Sequence, residues 1–155
     1  MAVNPDFRDL FSVFNAAEVR YLVVGAQAVI FYTVPRYTKN LDVWIEPSAG
    51  NARKAFEALA RFGAPLEGVA PEDLAVPGTV LQLGVEPNRI DVLNRIEALD
   101  FESAWPRRER STYAGVEISL VGLDDLIAAK RAAGRPQDLL DAEWLDRAKK
   151  GARGA

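Results

Sequence analysis

The chain contains no cysteine and no histidine. Without thiols there is no disulfide, no thiolate nucleophile and no zinc–sulfur centre. Without imidazole there is no serine–histidine relay, no histidine general base and no histidine metal ligand. Long apolar runs are missing too. Nothing approaches the roughly 18 consecutive apolar residues of a membrane span. The opening stretch, residues 1–14, carries Asp6 and Arg8 inside its apolar pattern, unlike the unbroken h-region of a signal peptide. Neither sign of charge dominates: the net charge is −3, so a polynucleotide partner would have to use a local basic patch. Together these absences lead us to expect a cytoplasmic protein.

What is present suits one compact domain. A chain of 155 residues, 49% apolar and 26% charged, buries a core without staples and lacks the signature of disorder. We expect a single domain over 1–150 and a flexible tail over 151–155. Asn4 and Pro5 read as an N-cap and first helical position, and Phe7, Leu10, Phe11 and Phe14 recur at helical spacing. Residues 21–24 have strand character and stop at Gly25, and 26–32 suit a buried helix. A second strand is expected at 41–45. Ser48 can cap the next helix, with Ala52, Ala55, Phe56 and Leu59 as its buried stripe and Gly63 at its end.

The segment 64–78 is rich in proline and glycine and reads as loop with one turn near Pro71. Two hairpins are expected, 79–85 with 89–93 and 110–113 with 116–121, around a short helix at 100–105. Helices at 124–133 and 138–149 follow, separated by Gly134. Strands interleaved with helices and hairpins indicate an α+β fold, a mixed β-sheet with helices packed on it.

Two carboxylates sit where strands should be apolar. Leu41, Val43, Trp44 and Ile45 surround Asp42, while Ile90, Val92 and Leu93 surround Asp91. Near-continuous apolar strands are buried on both faces, and an unpaired buried carboxylate costs several kcal/mol. Both anomalies are explained if the two carboxylates face one cation. Period-two alternation puts Asn40 on the face of Asp42, and an all-oxygen ligand set of Asn40, Asp42 and Asp91 suits Mg2+ or Mn2+. The competing reading is that each Asp pairs with a neighbouring cation, from Arg36, Lys39 and Arg89. Upstream, Gly25 and Ala26 follow a strand and open a helix, where small residues let a phosphate approach backbone N–H groups.

The combination of Gly25-Ala26, then Asn40-Leu41-Asp42, then Asp91 on a later strand resembles the nucleotidyltransferase superfamily that includes DNA polymerase beta. It is most similar to small bacterial members of uncharacterised role and, more distantly, to the nucleotidyltransferase toxins of abortive-infection systems. The matching stretches are 21–28, 35–46, 82–93, 101–105 and 123–145, and the last runs through Lys130, Gly134, Arg135 and Asp138. The resemblance implies a nucleotidyltransferase-like fold, a divalent metal held by Asp42 and Asp91, and a nucleoside triphosphate as substrate. It implies transfer of a nucleoside monophosphate to a hydroxyl on RNA, protein or a small molecule, with Asp91 as the preferred base. Positioning and electrostatics do most of the work in such reactions. Gly25, Ala26, Lys130 and Arg135 are candidate nucleotide contacts, and Arg36, Thr38 and Lys39 are second choices. A solvated helix face is the competing reading for each cation.

One position departs from the pattern. Asn40 stands where the superfamily has Asp, so three carboxylates become two and a second divalent ion is held less well. Three functions therefore stay open: an enzyme, a degenerate nucleotide- or partner-binding module, and a structural domain in which both Asp residues form ion pairs. Trp44, Trp105 and Trp144 are read as packing residues. Arg107, Arg108 and Arg110, and likewise Lys149 and Lys150, are read as solvated surface. The last helix, with Leu139, Leu140, Trp144 and Leu145, is expected to pack on the domain, with another subunit as the competing reading.

Overall fold

The structure is a computed structural model that describes residues 3–34 and 38–154, and the side chains of these up to Gly151. The first helix, α1 (Pro5–Ala16), starts where Asn4 accepts the N–H groups of Asp6 and Phe7, and it buries Phe7, Leu10, Phe11 and Phe14. Strand β1 (Tyr21–Val24) runs directly into α2 (Gly25–Tyr32), so the helix begins at the glycine itself and not one residue later. Strand β2 (Asn40–Ile45) leads to α3 (Ala49–Phe62), capped by Ser48 and ended by Gly63. A 3-10 turn at Pro71–Ala75 interrupts the proline-rich stretch. The hairpin β3 (Val80–Leu83) and β4 (Arg89–Leu93) follows, then α4 (Phe101–Ala104) and a second hairpin, β5 (Glu109–Tyr113) and β6 (Val116–Leu120). The chain closes with α5 (Leu123–Ala133) and α6 (Pro136–Gly154). That last helix starts earlier and runs further than the 138–149 expected from periodicity, because Pro136 occupies a first-turn position where its missing N–H costs nothing.

The six strands form one mixed sheet in the order β3-β4-β2-β1-β6-β5. The pairs β2–β4 and β1–β6 are parallel, and the other three are antiparallel. This is the α+β arrangement the sequence predicts. Helices α1 and α3 pack together, while α2, α5 and α6 form a second group. Ile90 points into the cleft walled by α1 and the end of α3, whereas Leu93, of opposite parity on the same strand, points toward α5. The two helix groups therefore cover opposite faces. Leu22, Val23, Leu41, Val43, Ile90 and Leu120 are all but inaccessible at the sheet's centre, which fixes the register wherever a slip would expose them.

Among the described residues no helix is long and apolar enough to cross a membrane.

Candidate functional site

The parallel pairing of β2 and β4 sets Asp42 directly beside Asp91, with Asn40 beside Arg89 and Trp44 beside Leu93. Residues in register on neighbouring parallel strands point to the same face, about 4.8 Å apart. The two carboxylates therefore share one side of the sheet. The carboxyl of Asp42 is pushed up to about 6, first by burial, then by the charge of Asp91 and a hydrogen bond with it; Arg89 and Lys130 act in the opposite direction.

Each carboxylate has further company. The Asn40 amide donates from Nδ2 to Asp42 Oδ1 at 3.2 Å. Arg89 Nη2 lies 3.1 Å from Asp91 Oδ2. The other oxygen, Asp91 Oδ1, is buried and meets no N–H or hydroxyl donor among the described residues; only a protonated Asp42 carboxyl could donate to this side chain. The ion-pair reading thus accounts for one oxygen of Asp91 and leaves the other, once Asp42 is ionised, unsatisfied. Such a group is costly unless something outside the chain completes it.

Gly25 makes room for the pair. Its φ is +67°, and a Cβ there would fall 2.1 Å from Asp42 Oδ2. Any side chain at this position would occupy the space of the carboxylate. The same turn starts α2, whose N-cap residue, Val24, gives no side-chain cap. The positive end of α2 is thereby left next to the acidic pair. Ala26, the next residue, is half-buried.

A cavity of about 230 Å3 opens against Asp42 and Gly25. Its floor is apolar, with Leu93, Ile96, Val121 and Leu126, and its rim carries Arg95, Lys130, Arg135 and Asp138. The αL glycine Gly134 ends α5 and turns the chain so that Arg135 precedes α6 at this rim. Lys130 is not a solvated helix residue: only 14% of its side chain is exposed, and Nζ lies 3.4 Å from Asp138 Oδ1 and 3.2 Å from Asp141 Oδ2. Arg135, largely exposed, forks onto Asp138 through Nε at 2.5 Å and Nη2 at 3.2 Å. The hydrogen bond from Arg135 holds the Asp138 carboxyl below the usual carboxylate range.

The other predicted contacts are elsewhere. Thr38 spends its hydroxyl on the backbone carbonyl of Asn40 at 3.0 Å. Lys39 is exposed and lies 4.0 Å from Glu86, away from the cavity lining. Arg36 falls outside the described residues. Arg107 is clamped bidentately on Asp125 at 2.9 and 3.0 Å, and the Arg108 guanidinium lies 3.9 Å over the ring of Trp105, so this pair serves packing. Trp44 is buried against Phe101. The last helix packs on the domain through Ala142 and Leu145, both buried, and turns Leu139, Leu140 and Trp144 outward, the last 46% exposed. Sequence reading passed over Arg95, Asp138 and Asp141 as site residues. The signal was present: two Asp three apart, in a helix otherwise amphipathic, share one face.

No family model matches the sequence. No curated protein matches it in sequence either. Comparison of folds is more informative. Lincosamide antibiotic adenylyltransferase LnuA with lincomycin bound superposes with a TM-score of 0.62 at 16% identity, over 94% of this chain and 98% of that one. A Thermotoga maritima protein described as a candidate nucleotidyltransferase gives 0.60 at 14% identity, over 94% and 96%. ANT(2″)-Ia in complex with adenylyl-2″-tobramycin gives 0.57 at 12% identity, over 96% and 89%. At such identities the likeness speaks for the fold alone, and the fold of this chain is nucleotidyltransferase-like.

Proposed function

We propose that the protein transfers a nucleoside monophosphate from a nucleoside triphosphate to a hydroxyl acceptor, at the cleft lined by Asp42, with Asp91 beside it in register on the next strand. The observation that carries this reading is the register that sets Asp42 beside Asp91, whose Oδ1 is buried with no N–H or hydroxyl donor among the described residues. Two carboxylates with opposing helix and cations suit a dication between protein and polyphosphate. The residues fit Mg2+ or Mn2+: Asp42 and Asp91 would hold the ion, and the Oδ1 of Asn40 would join after a half-turn of its amide. Bound there, the ion would neutralise charge on the triphosphate and on the departing pyrophosphate.

The chain's own groups supply the rest. Gly25 and the start of α2 leave room and a positive dipole for phosphate oxygens. Lys130 and Arg135 hold the triphosphate from the opposite rim. The acceptor oxygen attacks the α-phosphorus, the bond to the β-phosphate breaks, and pyrophosphate leaves. Asp91 takes the acceptor's proton. Similar folds include one named as an antibiotic adenylyltransferase and one holding adenylyl-2″-tobramycin, which supports a small hydroxyl-bearing molecule as one class of acceptor beside RNA and protein.

A second reading has its own observation. Asn40 presents its amide N–H group to Asp42, and among the described residues no group of three or more Asp, Glu, His or Cys is arranged to hold a metal. A module that binds nucleotide without turning it over fits that donor set. Incubation with α-labelled triphosphates, magnesium and cell extract separates the two. Label transferred to an extract component, and lost in Asp91→Ala, supports the enzyme. Thermal stabilisation by magnesium and triphosphate with no labelled product supports the module. No stabilisation by any triphosphate would overturn both.

A further inference from the structure

We propose that Asp138 is a positioning residue, holding the head groups of Lys130 and Arg135 together on the rim of the Asp42 cleft, ready for triphosphate oxygens; the proposal rests on the nucleotide reading above. One oxygen, Asp138 Oδ1, accepts from both Lys130 Nζ at 3.4 Å and Arg135 Nη2 at 3.2 Å. The other, Oδ2, accepts from Arg135 Nε at 2.5 Å and from the Arg135 backbone N–H at 3.3 Å. Two cations that would repel each other are thus drawn to a single atom. Asp138 itself is 3% exposed, whereas Arg135 is 77% exposed. Burial does not restrain that guanidinium; Asp138 does.

A purely local role explains less. The bond from the Arg135 N–H to Asp138 is half of a capping box at the start of α6. Capping needs one acceptor and no charge. It accounts for one of four hydrogen bonds and requires neither the guanidinium fork nor Lys130. The second acid, Asp141, is also buried and lies 3.2 Å from Lys130, so the four groups are neutral as a set. A neutral set can persist half-buried without a ligand. It also keeps both cations beside Asp42, whose charge reaches Arg135 as that of Lys130 reaches Asp42. Fixing two long side chains before the ligand arrives removes an entropic cost from binding.

Asp138→Asn separates the roles, since an amide oxygen still caps the helix but attracts no cation. Calorimetric titration with magnesium and ATP, GTP, CTP or UTP identifies the triphosphate that the parent binds, and that one is used throughout. For Asp138→Asn we expect affinity to fall about tenfold, with KM rising in parallel and kcat within about threefold. Arg135→Ala should lose a similar amount, and the double variant should lose clearly less than the product of the two single losses, because Asp138 acts partly through Arg135 and partly through Lys130. Parent-like affinity in Asp138→Asn, or losses that multiply in the double variant, would overturn the proposal. Should Asp138→Asn fail to fold, Arg135→Lys keeps the charge without the fork: a tenfold loss supports the proposal and parent-like binding overturns it. A parent that binds no triphosphate sinks the functional reading and this inference with it, whereas binding by parent and Asp138→Asn alike sinks this inference only.

Discussion

The Asn40 side chain donates its amide N–H to Asp42 Oδ1 at 3.2 Å, so a neutral donor faces the carboxylate where the superfamily pattern has a third acid. Two carboxylates balance one dication, and three attract a second. Asn40→Asp should therefore raise the number of Mn2+ ions bound in the presence of triphosphate from one per chain to two, counted by calorimetry. It should also increase label transfer by about tenfold or more, the scale of one metal ligand's effect. An unchanged ion count would show that position 40 does not face the cation.

The shifted carboxyl of Asp42 sets a pH dependence. Its ordinary value is 3.8 and its folded value about 6, so the folded chain holds this proton more tightly than the unfolded one. The stabilisation is fully present below the lower value and is lost as pH rises through about 6. In chelator, raising the pH from about 5 to about 7.5 should cost stability on the order of 1–3 kcal/mol from this group. Magnesium reverses the trend, because it takes the deprotonated form. Urea unfolding at both pH values, with magnesium and with chelator, checks this. The chelator arm should lose stability on going up in pH and the magnesium arm should not.

Much of the site was legible because strand periodicity is simple. Once 41–45 and 89–93 were strands, alternation put Asn40 and Asp42 on one face, and only the pairing of β2 with β4 remained to be seen; the register Asp42 to Asp91 supplied it. What stayed hidden depends on long-range packing. Lys130 is a candidate nucleotide contact by resemblance alone, and nothing local says that Asp138 and Asp141, across the Gly134 turn, bury it. Likewise Thr38 and Lys39 lie next to Asn40 in sequence, but a hydroxyl turned to a carbonyl and an ammonium near Glu86 are tertiary outcomes.

Gly25 can be tested for its space as well as its backbone. Gly25→Ala forces an L side chain into φ +67° and places its Cβ 2.1 Å from Asp42 Oδ2. The left-handed conformation alone costs about 1–2 kcal/mol, and the contact must also move the carboxylate or the turn. We expect a loss of roughly 1–3 kcal/mol in denaturant unfolding. Stabilisation by magnesium with triphosphate should disappear at the same time. Retention of that stabilisation would mean that ligand does not approach through this turn.

The proline-rich stretch 64–78 is fastened by one amide. Asn94 accepts the Gly78 N–H at 2.9 Å through Oδ1 and donates through Nδ2 to the carbonyls of Leu74 at 2.9 Å and Val76 at 2.7 Å. It is 5% exposed, and Leu74, which it helps to seat, is 2% exposed. Asn94→Ala strands the Gly78 N–H and the Leu74 carbonyl, while the Val76 carbonyl keeps the Thr79 hydroxyl and N–H, at a cost of about 2–4 kcal/mol. The stretch should then open before the rest of the fold. A glutamyl endopeptidase should cut the variant at Glu67 or Glu72 at least about tenfold faster than the parent, since cleavage follows the population of the open form. The variant should still be stabilised by magnesium and triphosphate, because Asn94 touches neither carboxylate of the pair. Equal cleavage rates in variant and parent would show that the stretch is held by the burial of Leu74 and not by the amide.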